Sequence, residues 1–497
     1  MKYKRMISAA LCFSMAVSAA MAVPSVNAAR YSMAEEVIDG DVNYDGAFNI
    51  ADLVTFRKWI MNGSDYIRKE AADLNKDGKI NAFDYALMRK MVAEKFFPDY
   101  VPMTARNLCN GVDKEEVEAT AADKDFILAQ TSFALDLMKR TSQDDENTLI
   151  SPYSVMQALA MTANGAKGDT KAAMEKTLGG LSVDKLNGCL YSQHTTQPAE
   201  SYCKLTTANS VWARDDAERL TVKEDFVQKM VNYYNADFYM APFDETTLRD
   251  VNNWTSTHTD GMVPQILDEI NEDHLLYLVN AVAFDAKWQK EYEASDVTEK
   301  EFTAFDGTKQ KADMLCSTED LYLSGENVTG VMKKYMGGKY AFAALLPDEG
   351  ISVNDYIGSL TPEKLYDMFS KPESVDVITQ IPKFSYDFGT SMRDTLINMG
   401  MGLAFSNLAD FSDMAELKNG HPICIDDVIH KTHIELTESG TRAAAATIVM
   451  MKETGCVMPD PDRRVEEVIL DRPFVYCIVD TENSLPVFIG TVMTLDK

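Results

Sequence analysis

Histidine is scarce in this chain of 497 residues, which has only six, and no H-E-x-x-H pair is among them. His430 and His433 come nearest to a chelating pair, but they stand three apart on an apparent strand, which puts them on opposite faces. No G-x-S-x-G elbow presents a nucleophilic serine, and the MGGKY stretch lacks the spacing and hydroxyl of a phosphate loop. Positive charge is also in short supply. With 48 Lys and Arg against 77 Asp and Glu the net charge is −29, which argues against nucleic acid or an anionic membrane as a partner. Long apolar runs are absent beyond the N-terminus, so nothing there is expected to span a membrane. The N-terminus itself reads as a secretory signal, residues 1–28: basic Lys2, Lys4 and Arg5, an apolar stretch, then Val26-Asn27-Ala28. Removing Cys12 with that signal leaves Cys109, Cys189, Cys203, Cys316, Cys424, Cys456 and Cys477, an odd and scattered set that is neither a disulfide framework nor a zinc site. What is present is an ordinary globular composition, 46 % hydrophobic and 25 % charged.

Two segments repeat with a period of 32 residues, GDVNYDGAFNIADL and ADLNKDGKINAFDY. Both match D-x-N-x-D-G-x-x-N-x-x-D, the oxygen spacing of an EF-hand calcium loop, in which glycine at position 6 permits the sharp turn. The first copy offers Asp41, Asn43, Asp45, the carbonyl of Ala47, Asn49 through water, and Asp52. The second offers Asp73, Asn75, Asp77, the carbonyl of Lys79, Asn81 through water, and Asp84. Only the exit helices show helical apolar spacing, DLVTFRKWIMNG and DYALMRKMVAEK, each with an Arg-Lys pair.

This duplicated loop and helix over residues 38–98 resembles the type I dockerin family. The resemblance implies a small all-α module with two EF-hand-like loops, folded around two calcium ions and docked on a cohesin domain of a cellulosome-type scaffold. Its cohesin-binding residues would be Ile50, Ala51, Arg57 and Lys58 in the first copy and Ala82, Phe83, Arg89 and Lys90 in the second. Neither copy has the Ser-Thr pair common in the family. Residues 99–118 lose the repeat and carry no clear period, and are read as a linker.

From about 119 onward, long amphipathic helices alternate with β-rich stretches, which predicts an α+β domain with large sheets. DKDFILAQTSFALDLMKRT reads as a helix; KYAFAALLPDEG, SVDVITQIPKFSYDF and PFVYCIVDTENSLPVFIGTVM read as strands with turns. TESGTRAAAAT, at 437–447, is ambiguous: alanine favours helix, but Gly440 precedes the run and a β-branched stretch follows it.

Five segments in order, NTLISPYSVMQALAMTANGAKGDT, LVNAVAFDAKWQKEYE, YMGGKYAFAALLPDEG, VIHKTHIELTESGTRAAAAT and LDRPFVYCIVDTENSLPVFIGTV, resemble the serpin (serine protease inhibitor) family over residues 119–497. The resemblance implies a serpin fold whose exposed reactive loop, once cut by a protease, inserts as a new strand of a sheet. Parity along that strand can then be read directly. Thr441, Ala443, Ala445, Thr447, Val449 and Met451 are small or apolar and suit the inward face, while Arg442 and Lys452 share the outward one. Glu438 and Gly440 begin the hinge. By the same resemblance Ser151, Ser154, Asn280 and His430 form the polar cluster beneath the opening sheet, and Trp288 lies where the loop first enters.

Family spacing from Glu438 places the reactive bond at Thr454-Gly455, a small residue suited to subtilisin-like or elastase-like proteases. The loop beyond is lengthened by GCVMPDPDRRVEE, which makes Met458 and Arg464 alternative sites and Arg463-Arg464 a tryptic temptation. The expected protein is a secreted, monomeric, suicide-substrate inhibitor, itself no enzyme, held on an extracellular cellulosome-type complex. The alternative is a non-inhibitory serpin-fold component of the same scaffold. A glycosidase, the common companion of dockerins, would need a matched carboxylate pair that the sequence does not offer.

Overall fold

The computed structural model describes residues 38–62, 67–96, 102–200, 202–215, 220–271, 274–418, 420–441 and 463–495. Residues 1–28, expected as a secretory signal, lie outside them. The chain divides into two compact units, Met1–Met103 and Thr104–Lys497.

In the first unit, helices α1 (Ile50–Asn62) and α2 (Ala82–Phe96) follow the two acidic loops, as their apolar spacing predicts. Each acidic loop turns through a left-handed residue at position 4, Tyr44 or Lys76, and through its glycine, Gly46 or Gly78. Phe56 and Met88 bury the helix faces together with Val42, Phe48, Ile67, Ala72 and Val92. The Phe56 ring meets Tyr85 edge-on at 5.9 Å. The two copies are stitched by backbone bonds from Gly40 N to the Ala71 carbonyl (2.9 Å) and from Arg68 N to the Val42 carbonyl (3.0 Å).

The second unit is built on two sheets. The main sheet takes β1 (Arg106–Asn107), β2 (Cys203–Arg214), β3 (Asp237–Ala241), β4 (Leu276–Lys287), β5 (Phe384–Ser391), β6 (Asp427–Leu436) and β7 (Gly440–Thr441), in the order β1-β3-β2-β4-β7-β6-β5, with Ala199–Glu200 added beside β2. The second sheet runs from Val465–Ile469 through Glu373–Pro382, Lys309–Gly325, Val328–Lys334, Tyr340–Pro347, Phe474–Asp480 and Leu485–Val492 to Thr148–Ile150. Helix α3 (Lys124–Thr141) starts where the Asp123 carboxylate accepts from Phe126 N at 2.9 Å. Helix α4 (Pro152–Ala163) has Ser151 as its cap and Pro152 in its first turn, and every one of its residues is buried. A helix buried on all sides belongs inside a core, with its Gln157 and Thr162 side chains hydrogen-bonded; α4 contacts both sheets, through β4 and through Leu485–Val492. Helix α5 (Glu245–His258) packs on β2 and β4.

The main departure from the expected organisation lies at 99–118, which reads as a linker. From Thr104 onward this stretch is folded into the second unit. Arg106 and Asn107 pair with Met240 and Tyr239 as an edge strand. The Asp250 carboxylate of α5 accepts from Thr104 N (2.6 Å), Ala105 N (2.9 Å) and the Thr104 hydroxyl (2.8 Å). Farther along, Glu115 N donates to the Asn232 side chain at 2.9 Å. A two-residue strand and a series of polar anchors leave no apolar period, so the pattern that finds helices cannot find this segment.

Because Asp250 is fully buried, truncating it strands the donors of Thr104 and Ala105 and also leaves the Arg249 guanidinium, 2.9 Å away, without its carboxylate. Asp250→Ala is expected to cost about 2–4 kcal/mol in urea unfolding and Asp250→Asn, which keeps an acceptor, distinctly less.

Candidate functional site

The site begins with a break in the main sheet. Strands β4 and β6 pair in parallel from Tyr277↔Asp427 to Ala281↔Lys431, and beyond that they diverge. At the top, β7 occupies the space between them: Gly440 pairs with Lys287, and Thr441 with both Ala286 and Leu436. A β-carbon at position 440 would lie 2.0 Å from the Ala286 carbonyl oxygen, so only glycine fits that approach. The Thr441 side chain is buried, and its hydroxyl meets that of Tyr335 at 2.5 Å.

The turn before Gly440 is fastened by Trp288. Its indole N–H donates to the Thr437 carbonyl and its backbone N–H to the Ser439 carbonyl, both at 2.9 Å. The indole stacks on Tyr335 with centroids 4.5 Å apart. Glu438 pairs with Lys383 at 2.8 Å, and that ammonium holds the Glu438 carboxyl below its usual range. Lys383, Tyr335 and Asn209 carry no signal of their own in the sequence. Asn209 lies within β2, Tyr335 just past the end of Val328–Lys334 and Lys383 just past the end of Glu373–Pro382, and the role of each depends on a neighbour more than 50 residues away.

Ser151, Ser154, Asn280 and His430 come together below the break, and all four are buried. Asn280 Nδ2 donates to the Ser154 carbonyl (3.0 Å), to the Ser154 hydroxyl, and to the side-chain oxygen of Asn209 (2.6 Å). His430 Nε2 accepts from Ser151 N at 3.1 Å, so Nδ1 carries the proton and donates to Asn280 Oδ1 at 3.0 Å. The network therefore needs a neutral imidazole, and burial pushes the His430 pKa down to about 3. His433, on the opposite face, pairs with Asp387 at 2.8 Å.

Ala443, Ala445, Thr447, Thr454, Gly455 and Met458 lie outside the described residues, as does Cys456; the six described cysteines are free thiols. Arg463 and Arg464 are described, and they are engaged. Arg463 pairs with Asp376 at 2.9 Å. Arg464 pairs with Glu373 (2.6 Å) and Glu466 (2.5 Å), while its carbonyl accepts from Asp376 N at 3.0 Å. The Arg464-Val465 bond thus enters the second sheet, where Val465 pairs with Asp376. A protease subsite needs a free extended chain on both sides of the bond, so this geometry removes Arg464 as bait and fixes the far end of the loop.

In the first unit, Asp41, Asp45 and Asp52 bring ligand oxygens within 4.8 Å of one another. Asp41 is fully buried; its Oδ2 faces the Arg68 guanidinium at 3.5 Å, while its Oδ1 is unpaired. Asp52 accepts from Val42 N, Asn43 N and Asn49 N, and Asp84 does the same from Leu74 N, Asn75 N and Asn81 N. The donor set of the first loop fits a hard divalent cation, with Asp41, Asn43, Asp45, the Ala47 carbonyl, Asn49 and Asp52 around it. The second loop shares the backbone, with Asp73, Asn75, Asp77, Lys79 and Asn81 in equivalent places, although Asp73 is satisfied by Asp77 N (3.1 Å) and Gly78 N (2.9 Å). Among the docking candidates, Ala51, Lys58, Ala82, Arg89 and Lys90 are exposed, Ile50 and Arg57 are half-buried, and Phe83 is 74 % exposed.

Comparison with known proteins agrees with this division. The family model for Serpin (serine protease inhibitor) matches residues 128–495, and that for the type I dockerin domain matches 39–93. The crystal structure of the thermophilic serpin tengpin in its native state superposes with a TM-score of 0.74 at 41 % identity, covering 79 % of this chain and all of that one. A serpin-like protein of Thermococcus kodakarensis is 29 % identical over 390 residues, 76 % of this chain and 88 % of its own. The leukocyte elastase inhibitor of Bos taurus is 29 % identical over 381 residues, 73 % of this chain and 97 % of its own.

The His430 network generates a pH dependence. An unfolded histidine titrates near 6.5 and the buried one near 3, so between these values the unfolded state binds the extra proton. Stability is complete above pH 6.5 and falls by about 1.4 kcal/mol per pH unit on acidification below it. Urea midpoints measured from about pH 7.5 to about pH 4 are expected to show this slope in the wild type and a flatter one in His430→Asn.

Proposed function

The chain belongs to the serpin family and carries a type I dockerin at its N-terminus, and from that premise we propose that it is a secreted suicide-substrate inhibitor of serine proteases, tethered to a cohesin of a cellulosome-type scaffold. The observation that carries this reading is the placement of β7: the first two residues of the loop already lie between β4 and β6, where a longer strand would continue.

The protease serine attacks the Thr454 carbonyl, the Thr454-Gly455 bond breaks, and Gly455 leaves with a free amine while Thr454 remains esterified to the enzyme. The freed loop then zips downward from Thr441, separating the five parallel pairs between Tyr277–Ala281 and Asp427–Lys431. About a dozen inserted residues each gain a backbone hydrogen bond worth roughly 1 kcal/mol net, in addition to the burial of the inward side chains. Ala443, Ala445 and Thr447 are small enough to enter without displacing the core, and Arg442 and Lys452 stay on the outer parity. The acyl enzyme is carried away from the position it needs for hydrolysis, and the ester persists. A small residue at the cut favours subtilisin-like or elastase-like proteases.

Two calcium ions, held by the loops at Asp41–Asp52 and Asp73–Asp84, would order the dockerin for docking through Ile50, Ala51, Arg57, Lys58, Ala82, Phe83, Arg89 and Lys90. Such an inhibitor would protect the assembled complex from proteolysis.

Incubation of the mature protein with subtilisin-, elastase- and trypsin-type proteases is expected to give a detergent-stable complex with one of the first two, and denaturing mass spectrometry should find a C-terminal peptide beginning at Gly455. Plain cleavage with no complex from any protease would favour a non-inhibitory scaffold component instead. Thr441→Arg buries a charge against Tyr335 and is expected to reduce stable complex at least about tenfold while cleavage at Thr454-Gly455 continues. Removing calcium with EDTA is expected to abolish capture by immobilised cohesin and leave the rate of protease inhibition unchanged; loss of both together would contradict independent modules.

A further inference from the structure

The turn before Gly440 is held at successive carbonyls by one short segment. Trp288 takes those of Thr437 and Ser439, and Tyr292 N donates to the carbonyl between them, that of Glu438, at 3.0 Å. The two anchors are secured differently. Trp288 belongs to a ladder: it bridges to Tyr335, with Gln289 N donating to the Lys334 carbonyl (3.0 Å) and Met336 N to the Lys287 carbonyl (2.8 Å). Tyr292 lies past that ladder in irregular chain, so the aim of its amide depends on what fixes its side chain.

That side chain rests on a buried cation. Lys333, on the strand Val328–Lys334, is 2 % exposed, and its Nζ lies 4.4 Å from the Tyr292 ring centre and 5.6 Å from that of Trp288. Its counterion is Glu319, with Oε1 2.6 Å away. The Ser317 hydroxyl donates to the same carboxylate oxygen at 2.6 Å, and its Oγ lies 3.3 Å from the Tyr292 hydroxyl and 2.9 Å from that of Thr379. Thr379 in turn pairs with Val468, on the strand that follows Arg464. Burial pushes the Lys333 pKa below the usual lysine value, and the Glu319 carboxylate opposes that shift.

Lysine is seldom enclosed this fully unless it is paired, and exchanging a buried ion pair for apolar side chains commonly costs little stability. What the ammonium adds is direction. It is attracted to the faces of two rings at once while its carboxylate holds it from the other strand, so it fixes where those rings sit.

We propose that Lys333 is a positioning residue of the hinge: its ammonium seats the Tyr292 ring so that the Tyr292 amide holds the Glu438 carbonyl, which keeps Gly440 and Thr441 between β4 and β6. With the turn loosened, insertion starts later after acylation, and more of the ester is hydrolysed before the protease is carried away. This consequence rests on the inhibitor reading above; the seating of Tyr292 does not.

Hydrogen exchange at single-amide resolution, on the intact full-length protein, tests the seating directly. Lys333→Met combined with Glu319→Gln, which leaves no buried carboxylate unpaired, is expected to speed exchange of the Tyr292 amide about tenfold and to change that of Trp288 little. Tyr292→Leu should do the same at position 292 after correction for intrinsic rates. Tyr292→Phe, which keeps the ring and loses only the hydroxyl, should exchange as slowly as the wild type. With a subtilisin- or elastase-type protease, the double variant and Tyr292→Leu are expected to raise the inhibitor consumed per protease trapped at least about twofold, and Tyr292→Phe to leave it as in the wild type. Unchanged exchange in both the double variant and Tyr292→Leu, equal acceleration in Tyr292→Phe, or faster exchange without any rise in inhibitor consumed would overturn the proposal. A wild type that traps no protease would instead sink the inhibitor reading, and the exchange rates would still decide whether Lys333 seats Tyr292.

Discussion

The close approach of Gly440 to the Ala286 carbonyl is the constraint around which the larger unit is arranged. It lets the chain turn back at the top of β6 and lie between two strands that are hydrogen-bonded to each other lower down. The surrounding residues hold that arrangement from different sides. Trp288 grips the turn through two carbonyls, Lys383 neutralises Glu438, and Tyr335 meets the Thr441 hydroxyl. Beneath, the neutral imidazole of His430 links α4 to β6 and, through Asn280, to β4 and β2. The sheet is thus closed below by a polar network and above by the chain's own hinge, with the divergence of β4 and β6 left between them.

The two units meet different physical demands. The larger one has a wide apolar core. The smaller one has a core of a few apolar side chains set beside buried carboxylates, and Asp41 retains an unmatched oxygen. Type I dockerin domains typically bind calcium, and a small core set beside an unmatched buried carboxylate oxygen is suited to a cation. The strongly negative composition is consistent with such a module, though most of the acidic residues lie elsewhere in the chain.

Much of this architecture is legible in the amino-acid pattern. The exit helices, the helix at 124–141 and the strands at 340–347 and 474–492 follow from apolar period, and the calcium loops from oxygen spacing. The meeting of Ser151, Ser154, Asn280 and His430 is accessible only through family resemblance, because nothing local in four polar residues up to 279 positions apart signals contact. The segment 104–118 reads as linker because its attachments are polar and discontinuous. Arg463-Arg464 reads as an exposed basic bait because the carboxylates that engage it, Glu373 and Asp376, stand far back in the chain on another strand.

The second sheet also determines how the molecule outlasts a cut. Every strand after Arg463 is woven into it: Val465–Ile469 lies parallel to Glu373–Pro382, and Phe474–Asp480 and Leu485–Val492 are buried along their whole length. Severing the backbone anywhere from 442 to 462 therefore yields two polypeptides but one particle. After such a cut, molecular continuity passes from the covalent chain to the hydrogen-bonded ladder, and the two pieces separate only when the fold itself is dissolved.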